Sequence, residues 1–594
     1  MTFPFPRHRV ADGRACADVA HGRPRKPSPP APPRGYPPLA ALLLCSLLVP
    51  GANAQSPAGD IAGQELQRQQ ERTRALREQQ ERTPDVRLPA VKADPPPKLP
   101  ETETPCFVID RIVLQSDFPV FDDAVSAANP PDDPALGRCL GTAGIHRAMQ
   151  RIQNAIIERG FVTTRVLAAT QDLQTGVLTL TIIPGRLRAI RFSDDSGARA
   201  NAWNALPAKP GDLLNLRDIE QALENFKRVP TADADIQIVP GDQPGESDLV
   251  ISWRQTRPFR VTLTANDGGS RATGTYQGSA TLSGDHLLTL NDLAYLSINR
   301  DLGGGQSGSR GTRGNTAHYS LPWGYHLLGA TFSANRYHQT VAGASQAYRY
   351  SGTSRNSELK LSRVIHRDAA NKTTASLRGY LTTSANFIDD TEIAVQRRRM
   401  AGWEAALAHR AFLGDATLDL GAAYRHGTGA FAALRAPEDA FGDGTARPRL
   451  VTTENALTLP FKVGEHDLRY SGLWRAQWNR TPLVPQDRFS IGGRHTVRGF
   501  DGESVLMAER GWIVRNELGL TIAGQELYAA LDHGEVGGPS ARQLVGKRLT
   551  GAALGLRGSN RILGYDLFVG QPVRQPDGFK TARTTVGFNL TLSY

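Results

Sequence analysis

From residue 257 to residue 594 apolar and polar residues alternate with period two, in short stretches separated by clusters of Gly, Asn, Asp and Ser. That is the pattern of strands with one apolar and one polar face. In 468–479, Leu468, Tyr470, Trp474, Ala476 and Trp478 fall on one face, and Arg469, Ser471, Arg475, Gln477 and Asn479 fall mostly on the other. At the end of the chain, Val586, Phe588, Leu590, Leu592 and Tyr594 keep one face apolar to the terminal aromatic. The region holds 338 residues. At roughly 20 residues per strand and connection, it has room for about 16 strands. A soluble sandwich does not reach this size, and a propeller would repeat a blade motif. The pattern predicts a closed transmembrane β-barrel of antiparallel strands.

Upstream the period changes. A strand over Phe107–Leu114 precedes a helix from Gly144 to Arg159, with Ile145, Met149, Ile152 and Ile156 on one face and Gly160 ending it. Strands follow at Val162–Leu167 and Val177–Ile183. The plan then repeats: a strand at Ala189–Phe192, a helix capped by Asn215 with Leu216, Ile219, Leu223 and Phe226 inside, and strands at Ile236–Val239 and Asp248–Trp253. Two successive β-α-β-β units predict a tandem pair of small α/β domains. Before them lies a Pro-rich, stiff linker over 84–105. Ahead of that, residues 60–82 are rich in Gln, Glu, Arg and Leu and predict a helix capped by Asp60 and stopped by Pro84. It would be about 34 Å long, near the height of a membrane barrel. It has almost no apolar face, which leaves two readings open: a solvated helix or short coiled coil, or a polar rod matched to a polar channel.

Composition adds limits. The chain of 594 residues is 40% hydrophobic, and its mean hydropathy of −0.36 resembles that of a soluble protein. A barrel has the same average, because lumen-facing residues are polar. The only continuous apolar run, Leu39–Val49, follows Arg23, Arg25, Lys26 and Arg34 and precedes Ala52-Asn53-Ala54. This layout predicts a secretory leader over 1–54, cleaved after Ala54; Leu43-Leu44-Cys45 lacks the small residues of a lipoprotein box. Residues 1–38 carry seven Lys/Arg and two Asp, so without them the net charge of +11 falls to +6. Spread over the remaining chain, that is no nucleic-acid footprint. Cys16 and Cys45 leave with the leader, and the remaining pair, Cys106 and Cys139, reads as a disulfide in an exported chain.

Candidate chemistry is sparse. Gly303, Gly305 and Gly308 match G-x-G-x-x-G, but they lie between strand-like runs and open no helix, so a surface loop is expected rather than a dinucleotide site. The 13 His show no metal spacing, and no P-loop or nucleophile elbow is present. No catalytic, cofactor or metal site is expected. The distinctive block is Asp487–Gly502, long for a barrel loop and dense in Gly and Arg. Its arginines either face lipopolysaccharide at the surface or fold back to meet a carboxylate in the lumen.

IGGRHTVRGFDGE (491–503), followed by ERGWIVRNEL (509–518), resembles the signature of two-partner-secretion transporters, the exporters of haemolysins and filamentous haemagglutinins. These belong to the wider outer-membrane assembly superfamily, of which Val497-Arg498-Gly499-Phe500 resembles the most specific mark. Gln171-Asp172-Leu173 with Gly176 and Leu178, Pro184-Gly185-Arg186, and the Cys106/Cys139 pair resemble the first POTRA domain of the family. The resemblance implies a plug helix (55–83), a linker (84–105), POTRA domains at 106–187 and 188–255, and a 16-stranded barrel at 256–594 with an inserted loop at 481–510. It implies that Arg498 pairs with Asp532 on a lumen-facing strand. It further implies an outer-membrane location with POTRA domains in the periplasm, and contact with membrane lipid and lipopolysaccharide. Insertion would be by the barrel-assembly machinery. The partner would be an unfolded exoprotein with an N-terminal secretion domain, such as an adhesin, a haemolysin or a contact-inhibition toxin.

Overall fold

The computed structural model describes residues 58–81, 84–88 and 97–594. The expected leader and residues 89–96 of the linker lie outside these. Helix α1 spans Ala58–Gln80. It starts before Asp60, so that residue lies within the first turn and is not the cap.

The first α/β unit contains β1 (Phe107–Val108), β2 (Arg111–Gln115), β3 (Cys139–Leu140), α2 (Thr142–Glu158), β4 (Arg165–Leu167) and β5 (Val177–Ile183). The strand expected over 107–114 is divided. Its first part, β1, pairs with β3, while β2 runs parallel to β5. Backbone bonds cause the break: Ile109 N–H turns to Arg138 O, and Asp110 N–H to Gly176 O. Ile152 and Ile156 of α2 are buried with Phe121, Leu178 and Leu180, whereas Ile145 and Met149 are only partly covered. Pro119–Ala128, which carries Phe121, forms a 3-10 turn that the periodicity did not indicate. Cys106 and Cys139 are joined in a disulfide that closes a separation of 33 residues. Loop-closure entropy gives such a bond about 3–4 kcal/mol. The Cys106→Ser/Cys139→Ser variant, or the native chain in reductant, is therefore expected to be nicked by trypsin within 97–185 at a temperature several degrees lower. An unchanged cleavage temperature would show that the bond does not hold this unit together.

The second unit contains β6 (Arg186–Phe192), α3 (Leu216–Lys227), β7 (Ala232–Pro240) and β8 (Glu246–Gln255). Sheet order is β6-β8-β7. Asn215 caps α3 by accepting from Arg217 N–H at 2.8 Å. Ile219, Leu223 and Phe226 pack beneath it on Leu187, Leu249 and Trp253.

The remaining strands are β9 (Phe259–Asn266), β10 (Tyr276–Asp285), β11 (Leu293–Gly303), β12 (Gly311–Trp323), β13 (His326–Ala342), β14 (Ala347–Arg367), β15 (Asn371–Ile388), β16 (Thr391–Glu392), β17 (Arg398–Leu413), β18 (Ala416–Thr428), β19 (Arg449–Val463), β20 (His466–Asn479), β21 (Phe489–Ile491), β22 (Leu506–Ala508), β23 (Arg510–Ile522), β24 (Gln525–Gly537), β25 (Arg548–Ser559), β26 (Leu563–Arg574) and β27 (Thr585–Ser593). Sixteen long strands, each antiparallel to its neighbours, form the barrel, which closes where β27 pairs with β9. The two-residue β16 extends one hairpin, and β21 pairs with β22 apart from the wall.

Alternation decides which side chain faces which solvent. On β13, Leu328, Ala330, Phe332 and Ala334 point outward, while the buried Thr331 and Ser333 and the partly covered Asn335 point inward. The α/β units enter at the start of β9, which defines the proximal end of the barrel. Connections there are short, as at β23–β24, where Ala523 (φ 48°) and Gly524 (φ 77°) make the two-residue turn. Both positive φ values fit a type I′ hairpin, whose twist matches that of the strands. The long connections, including 481–510, leave from the distal end.

Candidate functional site

Residues 481–510 re-enter the barrel. The short ribbon β21–β22 carries the loop inward, and apolar side chains anchor it: Val497 and Phe500 are buried with Phe489, Ile491, Leu506, Ile513, Val536 and Leu549. Phe500 meets Phe579 edge to face at 5.8 Å. Gly499 has φ +97°, and a Cβ there would lie 2.4 Å from Gln571 O. A Cβ on Gly551 would in turn meet Arg498 O, so the loop backbone lies directly on the β25–β26 backbone. Only glycine allows that approach.

This seating brings Arg498 to Asp532. Nε donates to Oδ2 at 2.7 Å and Nη2 to Oδ1 at 2.8 Å, a two-pronged guanidinium–carboxylate pair. The Arg498 backbone N–H also donates to Oδ2 at 3.0 Å. Asp532 is fully buried and Arg498 nearly so. The remaining prong of Arg498 reaches Glu517, which also receives Arg557. Arg515 lies 3.6 Å from Asp532. Sequence reasoning named Arg498 and Asp532 but missed Glu517, Arg515 and Arg557. The signal was present: Arg515 and Glu517 are two apart on one strand and so share the lumen face. A second tie, Arg494 to Asp267, links the loop to the β9–β10 connection.

Helix α1 lies in the same lumen, held almost entirely by polar contacts. Gln67 donates to Arg488 O at 2.8 Å and Arg68 to Gly502 O at 2.8 Å, so the helix rests on the inserted loop. Thr273 donates to Glu65 at 3.0 Å, Ser283 to Gln80 at 2.8 Å and Tyr295 to Glu81 at 2.9 Å. Arg74 pairs with Glu454, and Arg77 with Glu358 at 3.1 Å. Beside the helix the lumen persists as cavities of about 450 and 650 Å³. The helix is polar all round because its surroundings are.

Below the barrel, Pro84–Leu88 crosses α3. Glu220 and Glu224 on that helix are buried, and they accept from Leu88 N–H at 3.0 Å and Val86 N–H at 3.3 Å. Arg367, at the proximal end of β14, lies 3.0 Å from each carboxylate and donates to Val86 O at 2.6 Å. Lys372 completes the cluster on Glu224. Arg228 reaches Asn291 O and Ser320 O at 3.3 Å, and burial pulls its guanidinium down to about 10, so it stays charged at neutral pH. Linker, second α/β unit and barrel turns thus form one polar joint. At its outer rim Trp203 and Trp323 lie 5.7 Å apart.

Comparison with known proteins extends this geometry. The family model described as haemolysin secretion/activation protein ShlB/FhaC/HecB matches residues 245–558. Models of a ShlB-type POTRA domain and of a POTRA domain match 107–185 and 186–240. The outer membrane transporter CdiB-2 of Burkholderia pseudomallei is 37% identical over 569 residues, covering 92% of this chain and 96% of that protein. The hemolysin transporter protein ShlB of Serratia marcescens is 24% identical over 431 residues, 71% of this chain and 73% of the other. The solved structure of CdiB from Acinetobacter baumannii superposes with a TM-score of 0.78 at 30% identity, covering 91% of this chain and all of that one.

Proposed function

This chain belongs to the ShlB/FhaC/HecB family of haemolysin secretion/activation proteins, and on that premise we propose how its parts divide the work. It is an outer-membrane transporter of two-partner secretion, not an enzyme, and it moves an exoprotein through a barrel whose POTRA domains lie on the periplasmic side.

The finer reading is ours. The cargo is an unfolded adhesin, haemolysin or contact-inhibition toxin that presents an N-terminal secretion domain to the POTRA domains. The edge strands β2, β4 and β7, and β6 beyond Leu187, whose own backbone is tied to Gly211 and Asp212, offer strand edges to such a segment. Arg498 and Asp532, with Val497, Gly499 and Phe500 seating the loop, lock 481–510 in place; α1 plugs the resting pore and leaves when cargo arrives. Insertion by the barrel-assembly machinery belongs to the same reading. We assign 1–54 as leader, 55–83 as plug, 84–105 as linker, 106–187 and 188–255 as POTRA domains and 256–594 as barrel.

The observation that carries this reading is the contrast between the two lumen occupants. The loop is fixed by a buried, two-pronged ion pair and an apolar cluster, whereas α1 is held by scattered polar contacts, of which Glu65 and Gln80 are buried and the Arg74–Glu454 pair is about two-fifths exposed on both sides. One is built to stay and the other to leave. The test is secretion of a candidate exoprotein, any long, repeat-rich protein that a neighbouring reading frame encodes. It should reach the medium when both are expressed and remain in the periplasm without the transporter. Equal release without this chain would overturn the reading.

A further inference from the structure

The distal half of the outer barrel wall carries a row of arginines that faces away from the lumen. Arg300 on β11 lies directly opposite Arg313 on β12, and Arg313 lies directly opposite Arg336 on β13. Ser297, Asn299, Thr316 and Asn335 line the lumen cavities, so these arginines, of opposite parity, point outward. Like charges in directly opposed cross-strand positions repel. Among the described residues, no carboxylate lies within 4.0 Å of any of the three, nor of Arg349 on the next strand. They surround a cavity of about 720 Å³, together with Arg310, His338, Asp301, Asp389 and Asp390; Asp301 accepts the Gly303 and Thr312 backbone N–H groups. Asp389 is committed elsewhere, accepting the Arg349 backbone N–H at 2.9 Å.

Position along the wall identifies the solvent. On β12 the outward series runs from Arg313 and Asn315 through Ala317, Tyr319 and Leu321 to Trp323 at the proximal rim. Ten residues at about 3.3 Å each, tilted by about 40°, rise roughly 25 Å, the height of the apolar band of an outer-membrane barrel. Arg313 therefore stands at the outer headgroup level. Beneath the row, Ile298, Leu296, Phe332 and Leu359 are exposed on the wall. A concave guanidinium site above an apolar wall suits an amphiphile with a phosphorylated head and acyl chains.

We propose that Arg300, Arg313, Arg336 and Arg349 bind the phosphorylated headgroup of an outer-leaflet glycolipid, with its acyl chains lying on the wall below. Guanidinium–phosphate pairs are strong because the planar fork matches two phosphate oxygens, and the bound anion relieves the repulsion within the row. The site rests on the outer-membrane location alone. Its test reads lipid, so a failure leaves the transport reading standing.

The experiment is native mass spectrometry of the full chain titrated with bis-phosphorylated lipid A. Binding should fall at least tenfold in the Arg300→Gln/Arg313→Gln/Arg336→Gln variant, with heat-modifiable migration unchanged. It should be unaffected by Arg363→Gln, which alters an outward arginine at the proximal end of β14. Dephosphorylated lipid A should bind the native chain as weakly as lipid A binds the triple variant. Retention of full binding by the triple variant would overturn the proposal. So would equal binding of phosphatidylglycerol, or displacement of lipid A by equimolar inorganic phosphate, since either marks a generic anion site.

Discussion

Replacing Arg498 or Asp532 by alanine is expected to reduce export at least a hundredfold while the barrel still inserts and migrates in its heat-modifiable form. Removing one partner of a buried pair leaves the other charged and desolvated, a penalty of about 3–5 kcal/mol where nothing replaces it; Glu517 on Arg498 and Arg515 on Asp532 offset part of it. Asp532 loses more, because Arg498→Ala removes both guanidinium hydrogen bonds and leaves it the backbone N–H of residue 498. Arg498→Ala would also strand Glu517 with Arg557 alone. The wall does not need the pair: β24, which carries Asp532, is hydrogen-bonded along its length to β23 and β25. Arg498→Lys should be intermediate, since a single ammonium keeps the charge but loses the fork. Export at the native level by either alanine variant would refute the lock.

Deleting residues 58–81 is expected to raise single-channel conductance in planar bilayers several-fold and to leave secretion in place. An α-helix with its side chains is about 10–12 Å across, so its removal opens a continuous lumen where now separate cavities flank it. The contacts that hold α1 suit departure. Arg74 and Glu454 are both about two-fifths exposed. Such ion pairs are worth about 0–1 kcal/mol each, because water screens them and competes for both partners. Their sum seats the helix without committing it. A conductance equal to that of the native chain would refute the plug, and loss of secretion would mean that α1 serves transport beyond closing the pore.

The unequal strength of these two attachments was only partly legible beforehand. The Asp487–Gly502 block was visible because its glycines and arginines interrupt the barrel's alternation, but the pairing of Arg498 with Asp532 came only from the resemblance to the family, since Asp532 sits in the regular alternation of β24. The sharing of Arg498 between Asp532 and Glu517 was not visible, since a strand pattern gives facing and not height. The clamp of Glu220, Glu224 and Arg367 left no mark at all. Charges on the polar face of α3 read as solvated, and their partner stands 147 residues away in sequence.

By itself the sequence determined the elements whose patterning is local: barrel strands from period two, α2 and α3 from apolar stripes, and the disulfide pair from cysteine count. Those patterns persist in any context, because each records one surface meeting water and the other meeting apolar matter. Only the tertiary structure decided where the polar helix rests, which carboxylates go dry, and that three outward arginines stand abreast. Each of these depends on the register and closure of distant strands, and a buried charge has the same letter as a solvated one.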